Sequence, residues 1–469
     1  MRFVFPFLND SKNVCVLAGL GAIALLAGCA TSPQNQSSSV DVDAPLAWQS
    51  EAITGEVDTN SWLADLSDMT LDSLIKEALE NNYDLKASAA ALEQARGAAI
   101  QAGIGVYPQV TLNPSGSRTY NGTSDTHSDS FGLRARVSWE LDLWGRVRNE
   151  RQAGIADWEA SVEDYRAARL SLAASTASLW YDSVEAQLLL NLAKQTLDAF
   201  ERNLEVVEDN FRRGVAEALD VRLIRANVAS ARSSYEQRLR SRDARVRSIE
   251  ILLGRYPSNE LGIATELPEI KEEVPAGLPS EILWRRPDLA SAERDLAADL
   301  MRKKMAFKSN LPTFSLTGSA GTSSSEFSDL LDEQFKVWNL ALDLTQPLFP
   351  TSRLKGGVVR ARGVYEASLA RYADAILVAF KEVEDALNEQ SSYKRDYEAQ
   401  RIAQEESIAA TELAWSNYKR GLSDITTVLD AERRSLSSQS SFIEVANERI
   451  QSRIDLYLAL GGGFEFPSE

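Results

Sequence analysis

The chain is poor in the residue types that build reactive centres: it has two cysteines and one histidine among 469 residues. Cys15 lies inside an apolar leader and Cys29 at its end, so neither is placed for a disulfide or an internal metal site. His127 sits in the polar run 121–130, expected to be a solvated loop. A zinc site and a histidine-based triad are therefore excluded, and no phosphate-binding glycine loop is present. No catalytic residue, metal ligand or bound cofactor is expected. Excess positive charge is also missing: the formal net charge is −18, which argues against a nucleic-acid partner. Proline is absent between Pro114 and Pro257 and between Pro350 and Pro467. Because proline breaks helix interiors, these gaps are where long helices can run.

The first 28 residues read as a removable leader. Arg2 and Lys12 precede the apolar run 14–27, which is too short to cross a bilayer permanently. It closes on Leu26-Ala27-Gly28-Cys29, which resembles a bacterial lipobox and implies acylation of Cys29. Ala30 is not an aspartate, so by the same resemblance the product goes to the outer membrane. Losing Arg2, Lys12 and Asp10 takes the net charge from −18 to −19. Residues 29–60 are expected to be a tether, with 30–45 rich in Ser, Gln and Asn.

The rest of the chain contains itself twice. Asn210-Phe-Arg-Arg-Gly214 returns as Asn417-Tyr-Lys-Arg-Gly421, 207 positions later. The same offset pairs Glu159-Ala160-Ser161 with Glu366-Ala367-Ser368, and Leu253-Gly254 with Leu460-Gly461. Upstream the offset is 204, pairing Asp84-Leu85 with Asp288-Leu289 and Pro108 with Pro312. A period this long is a duplicated half rather than a solenoid unit. The boundaries expected are 61–260 for the first repeat, 261–280 for a linker, 281–465 for the second repeat and 466–469 for a tail.

Each half has two periodicities. Ile155, Trp158, Val162, Tyr165, Leu172 and Leu179 recur by threes, fours and sevens, and Leu429, Leu436, Ile443, Ile450 and Tyr457 by sevens. Such seams predict antiparallel helical hairpins over 146–253 and 352–461, turning at Gly214 and Gly421. A 68-residue helix over 146–213 would be about 100 Å long. Phe131 to Leu143 alternates apolar and non-apolar without a miss, and Trp338, Leu340, Leu342 and Leu344 hold one face of a second such run. Strands are expected over about 109–119, 130–143, 313–320 and 336–348. Alternation of this length fits a tilted transmembrane strand. Phe131, Leu133, Val137, Trp139, Leu141, Trp338, Leu340, Leu342 and Leu344 then face lipid, with Arg134, Arg136, Glu140 and Asp343 toward a lumen. Four strands cannot close a barrel, and an open edge is untenable in hydrocarbon. Three copies supply twelve strands, and their hairpins a closed α-barrel. The fold class is therefore mainly α with a membrane β-barrel, and its geometry is that of a duct.

Trp139-Glu-Leu-Asp-Leu-Trp-Gly-Arg146, Arg286-Pro-Asp-Leu289, Tyr418-Lys-Arg-Gly421 and Val428-Leu-Asp430 together resemble the TolC-type outer-membrane efflux factors. The lipobox is similar to that of the lipoprotein subgroup serving resistance-nodulation-division pumps. The resemblance covers about residues 60–465. It implies a homotrimeric exit duct in the outer membrane that meets a periplasmic adaptor and an inner-membrane pump. A small mixed α/β equatorial belt, built from Leu261–Pro279 and the chain ends, is implied as well. Carried over by position, the periplasmic aperture is lined by Tyr418, Ser423, Thr426, Thr427 and Asp430, with Asp424 beside them and Glu217 and Asp220 as weaker candidates. Ser423 and Thr427 depart from the charged residues of the best-known member, which puts its salt-bridge latch in doubt. Arg213-Gly214 and Arg420-Gly421 are the implied adaptor-docking tips. Two other readings stay open on sequence: an exit duct for type I-like protein secretion, and a trimeric coiled-coil adhesin or spacer.

Overall fold

Two copies of one element order account for most of the chain. The computed structural model describes residues 45–50, 68–270, 274–277, 279–349 and 351–462. The expected leader, Cys29, most of the tether and the tail lie outside the described residues. After α1 (Met69–Asn81), the first copy runs α2 (Tyr83–Ile104), β1 (Gln109–Asn121), β2 (Thr126–Leu141), α3 (Arg146–Arg212) and α4 (Ala218–Leu252). After α5 (Ile282–Arg285), the second runs α6 (Pro287–Lys308), β3 (Thr313–Ser324), β4 (Lys336–Thr345), α7 (Thr351–Lys419) and α8 (Ile425–Ala459). Equivalent helices match in length: 22 and 22 residues, 67 and 69, 35 and 35.

α3 and α7 are each one continuous helix, about 100 Å long at 1.5 Å per residue. Asp142 starts α3 by accepting the Val147 and Arg148 N–H groups at 3.1 and 2.8 Å, placing negative charge at the helix N-terminus. Gly154 does not interrupt it. A Cβ there would lie 2.8 Å from the Ala102 Cβ, so the glycine lets α2 and α3 pack closely. Both long helices stop at glycines in the left-handed region, Gly214 at φ +75° and Gly421 at φ +72°. The Val215 N–H reaches back to the Asn210 carbonyl and the Leu422 N–H to Asn417, each at 2.9 Å, satisfying carbonyls that the helix ends leave free.

The main core lies where the 35-residue return helices end. Trp180 and Tyr181 of α3 are buried there with Leu71 and Ile75 of α1, Ile249 of α4, Leu289 of α6, Phe380 of α7 and Leu456 of α8. The chain between the halves straps this core from outside. Glu250 accepts the backbone N–H groups of Asn259, Glu260 and Leu261 at 2.7, 2.8 and 3.1 Å, fixing the start of the strap. Trp48 docks beside it, donating its indole N–H to the Gly277 carbonyl at 3.1 Å and meeting the Phe380 ring edge-on. Of the implied mixed α/β belt, the described part of 261–277 holds one isolated bridge at Pro275 and neither helix nor strand, and residues 51–67 and 463–469 of the chain ends lie outside the described residues. Pro268 and Pro275 lack the N–H groups that a regular ladder needs.

The strands form one antiparallel sheet in the order β1-β2-β3-β4. β2 begins at Thr126, earlier than expected, and pairs with β1 up to Asn121. His127 is therefore a strand residue, with its ring 5.0 Å from that of Tyr120, and the loop shrinks to 122–125. β3 likewise runs on to Ser324, whereas β4 ends at Thr345, two residues before Pro347, which has no ladder donor.

Candidate functional site

The two tight turns lie at the same end. Val207, Val221 and Ile224 of the first hairpin bury against Ala414, Ile425 and Val428 of the second. Arg213, Gly214, Arg420 and Gly421 are all exposed there. Arg213 is held by Asp209, and Arg420 donates to the Asn417 amide oxygen at 2.6 Å, so neither guanidinium is free-swinging. Beside them Val215, Leu219 and Leu422 are 76, 59 and 69% exposed, an apolar surface that the sequence reading missed. Its signal was available: three aliphatic residues within a few positions of the glycines.

The expected aperture residues come together over the end of α7 and the first turns of α8. Asp424 caps α8, accepting the Thr427 N–H and the hydroxyls of Thr426 and Thr427, each at 2.8 Å. These donors hold its carboxyl below the usual carboxylate range. Glu217 and Asp220 form the corresponding capping box of α4. Tyr418 packs edge-on against Trp415, and burial together with the nearby Asp220 raises its hydroxyl above the ordinary tyrosine value. Asp430 is not a lone acid. Arg434 donates to it at 2.8 Å and Arg433 also pairs with it, which keeps its carboxyl low. Each chain thus carries two cations around this one carboxylate. Spacings of three and four on a helix were legible in the sequence and were not used.

Two residues on, Glu432 joins three helices. It accepts the Trp415 indole N–H of α7 at 2.7 Å and the Asn203 amide of α3 at 3.0 Å, while burial pushes its carboxyl up. A second junction lies nearer the core, where Asn447 of α8 donates to Glu185 at 2.6 Å and to Asp182 at 3.0 Å on α3. Burial, with Asp182 and Glu444 adding repulsion, pushes the Glu185 carboxyl up to about 7.

At the other end the sheet has two unlike faces. Residues directly opposite share a face, and the register aligns Val110 with Val137, Gly318 and Leu340, and Trp139 with Leu316 and Leu342. Phe131, Leu133, Val137, Trp139, Leu141, Trp338, Leu340, Leu342 and Leu344 all fall on this one side. Arg134, Arg136, Glu140 and Asp343 fall on the other, among serines and threonines. On β4 Trp338, Leu340, Leu342 and Leu344 are 62–78% exposed, far beyond what scattered surface residues require. Among the described residues no helix is long and apolar enough to cross a membrane.

The sequence pattern of the family described as Outer membrane efflux protein matches residues 74–255 and 278–462, covering both halves. The chain belongs to that family. It is 30% identical over 453 residues to the probable efflux pump outer membrane protein TtgC of Pseudomonas putida, covering 94% of each chain. To the outer membrane protein OprJ of Pseudomonas aeruginosa it is 31% identical, covering 87% of each. The CmeC outer membrane channel of Campylobacter jejuni superposes with a TM-score of 0.86 at 25% identity, covering 94% of this chain and 96% of that one. This outer membrane efflux protein therefore shares its fold with outer-membrane channels. Its place is the outer membrane, and its work is efflux.

Proposed function

We propose that three copies of the chain assemble into a passive duct rather than an enzyme. The observation that carries the reading is the sheet: an apolar face, with β1 paired only to β2 and β4 only to β3 among the described residues. Two unpaired edges on an apolar sheet are untenable in lipid, and joining β1 of one copy to β4 of the next removes them in a closed barrel of twelve strands. The helical hairpins of the three copies continue the wall into the periplasm as an α-barrel, whose far end is the Gly214 and Gly421 tip.

The lining of the closed tip is assigned to Tyr418, Ser423, Asp424, Thr426, Thr427 and Asp430. The exposed turns with Arg213 and Arg420 receive a periplasmic adaptor that links the duct to an inner-membrane pump. The cargo class is small apolar or amphiphilic compounds, since relatives are named for toluene and antibiotic efflux. Cys29 carries the covalent lipid, and the mass of the mature chain tests this: a Cys29→Ser variant that matures with wild-type mass refutes it. The duct itself is tested by planar-bilayer recording of the purified protein, with a cysteine pair placed across β1 and β4. Stable single-channel conductance and a disulfide-linked trimer are expected; a non-conducting monomer would sink the reading.

A further inference from the structure

All four strand–helix junctions lie along one edge of the sheet, because Gln109, Leu141, Thr313 and Thr345 each border a helix across a short connection. Two chemistries concentrate there. The first is a band of large exposed side chains: Tyr107, Leu143, Trp144, Phe307, Leu348 and Phe349, from 44 to 92% exposed. Four are aromatic, and all six lie within a few residues of the strand ends. Aromatic side chains gather at the headgroup level of a bilayer, where an apolar ring meets a wet boundary.

The second is charge. Segments 97–108, 142–153, 301–312 and 346–362 flank this edge and contain eleven Lys and Arg against two acidic residues, Asp142 and Glu150. The chain as a whole is −18, so the junctions reverse its sign. Some of these cations are neutralised internally, such as Arg146 by Glu140, Arg148 by Asp142 and Arg362 by Glu366. Lys304, Arg353, Lys355 and Arg360 are exposed and make no ion pair among the described residues. From Arg353 to Arg360 the helix advances about 10 Å, so these cations lie within about three helical turns of Phe349.

We propose that Lys304, Arg353, Lys355 and Arg360 form a cationic collar that binds anionic phospholipid headgroups in the leaflet on the helical side. The proposal rests on the membrane placement of the sheet given above. Charge complementarity selects the partner: a cation held at headgroup depth beside apolar anchors favours a phosphodiester bearing net charge over a zwitterion. In a trimer the collar repeats three times around the duct, fixing its depth and opposing tilt.

The test uses the full-length protein reconstituted in phosphatidylcholine vesicles carrying spin-labelled phosphatidylglycerol or spin-labelled phosphatidylcholine. Electron spin resonance reads the motionally restricted, protein-bound fraction of each probe. At low salt the wild type is expected to prefer phosphatidylglycerol by about fivefold, falling toward parity in 0.5 M salt, as each cation near an anionic surface implies. The K304Q/R353Q/K355Q/R360Q variant should bind both probes equally while keeping wild-type conductance. A salt-insensitive preference in the wild type overturns the collar without any need for the variant to fold. So does a variant that keeps the preference, or one that changes pore ion selectivity and not lipid selection, because its cations then face the lumen. Absence of any restricted component in the wild type is a different failure, one that removes the sheet from the bilayer and the duct reading with it.

Discussion

Leu340→Arg tests the apolar sheet face most directly, because its place along β4 fixes its depth. The apolar side of β2 runs from Phe131 to Leu141, ten residue steps. That is about 34 Å along the strand, and about 26 Å of membrane thickness at a tilt near 40°. On β4 itself Leu340 lies four steps above Leu344, about 10 Å of membrane thickness at that tilt. It therefore lies close to the bilayer midplane, where an arginine on the lipid face costs about 2–4 kcal/mol per chain, or roughly 6–12 kcal/mol for three. Leu344 is the last apolar residue before β4 ends at Thr345, so it lies at the lower boundary, where the same change costs about 0–1 kcal/mol. Thr317→Arg, almost level with Leu340, points to the opposite face beside Asp343, 3.5 Å from the threonine hydroxyl, and should be tolerated. Urea-titrated folding into vesicles, followed by the yield of detergent-resistant trimer, measures the three together. The order expected is Leu340→Arg far below Leu344→Arg and Thr317→Arg. If Thr317→Arg loses as much as Leu340→Arg, the two faces are not distinguished by lipid and the depth argument fails.

Three further outcomes are expected. Asp430→Ala leaves Arg433 and Arg434 without their shared partner, so the reversal potential of the pore should shift toward anions at low salt and return in 1 M salt; an unmoved potential removes this turn of α8 from the conduction path. Glu185 has a folded value of about 7, above its ordinary 4.5, so the folded chain binds the proton more tightly. Its contribution to stability is complete below about 4.5 and is lost as pH rises to about 7. Melting curves should accordingly show a decline over that window that Glu185→Gln flattens. Gly214→Ala meets open space and only the left-handed backbone opposes it, about 1–2 kcal/mol. Gly254→Ala adds a Cβ 2.8 Å from the Asn81 carbonyl oxygen at φ +74° and should cost about 1–3 kcal/mol more, read as a larger drop in the denaturation midpoint.

Much of this architecture was legible because it repeats. The 207-residue offset pointed to both hairpins and both turns, and alternation with period two pointed to β2 and β4, with shorter partners before each. What was missed has physical causes. The upper part of β2, Thr126 to Ser130, is polar on both faces, so a reading that requires an apolar side stops too soon. The seat of Trp48 depends on Gly277, 229 positions away, and no local pattern announces such a pairing. The pairing of Asp430 with Arg433 and Arg434 is different: spacings of three and four on one helix put it in plain view of the sequence.

The equal lengths of the return helices have a mechanical consequence. α4 and α8 both stop near the main core, at Gly254 and Gly461, and shorter helices replace them on the membrane side. In the proposed duct, a cut across the wall at that height severs half of its staves, leaving α3 and α7 as the only members among the described residues that run through. That level is also the level of the main core, so buried packing and the strap bridge the breaks that the short members leave. The half that carries the turns is held by a much smaller buried cluster, so twisting or splaying there is stopped at the core before it reaches the sheet. Dilation at one end need not be felt as strain at the other.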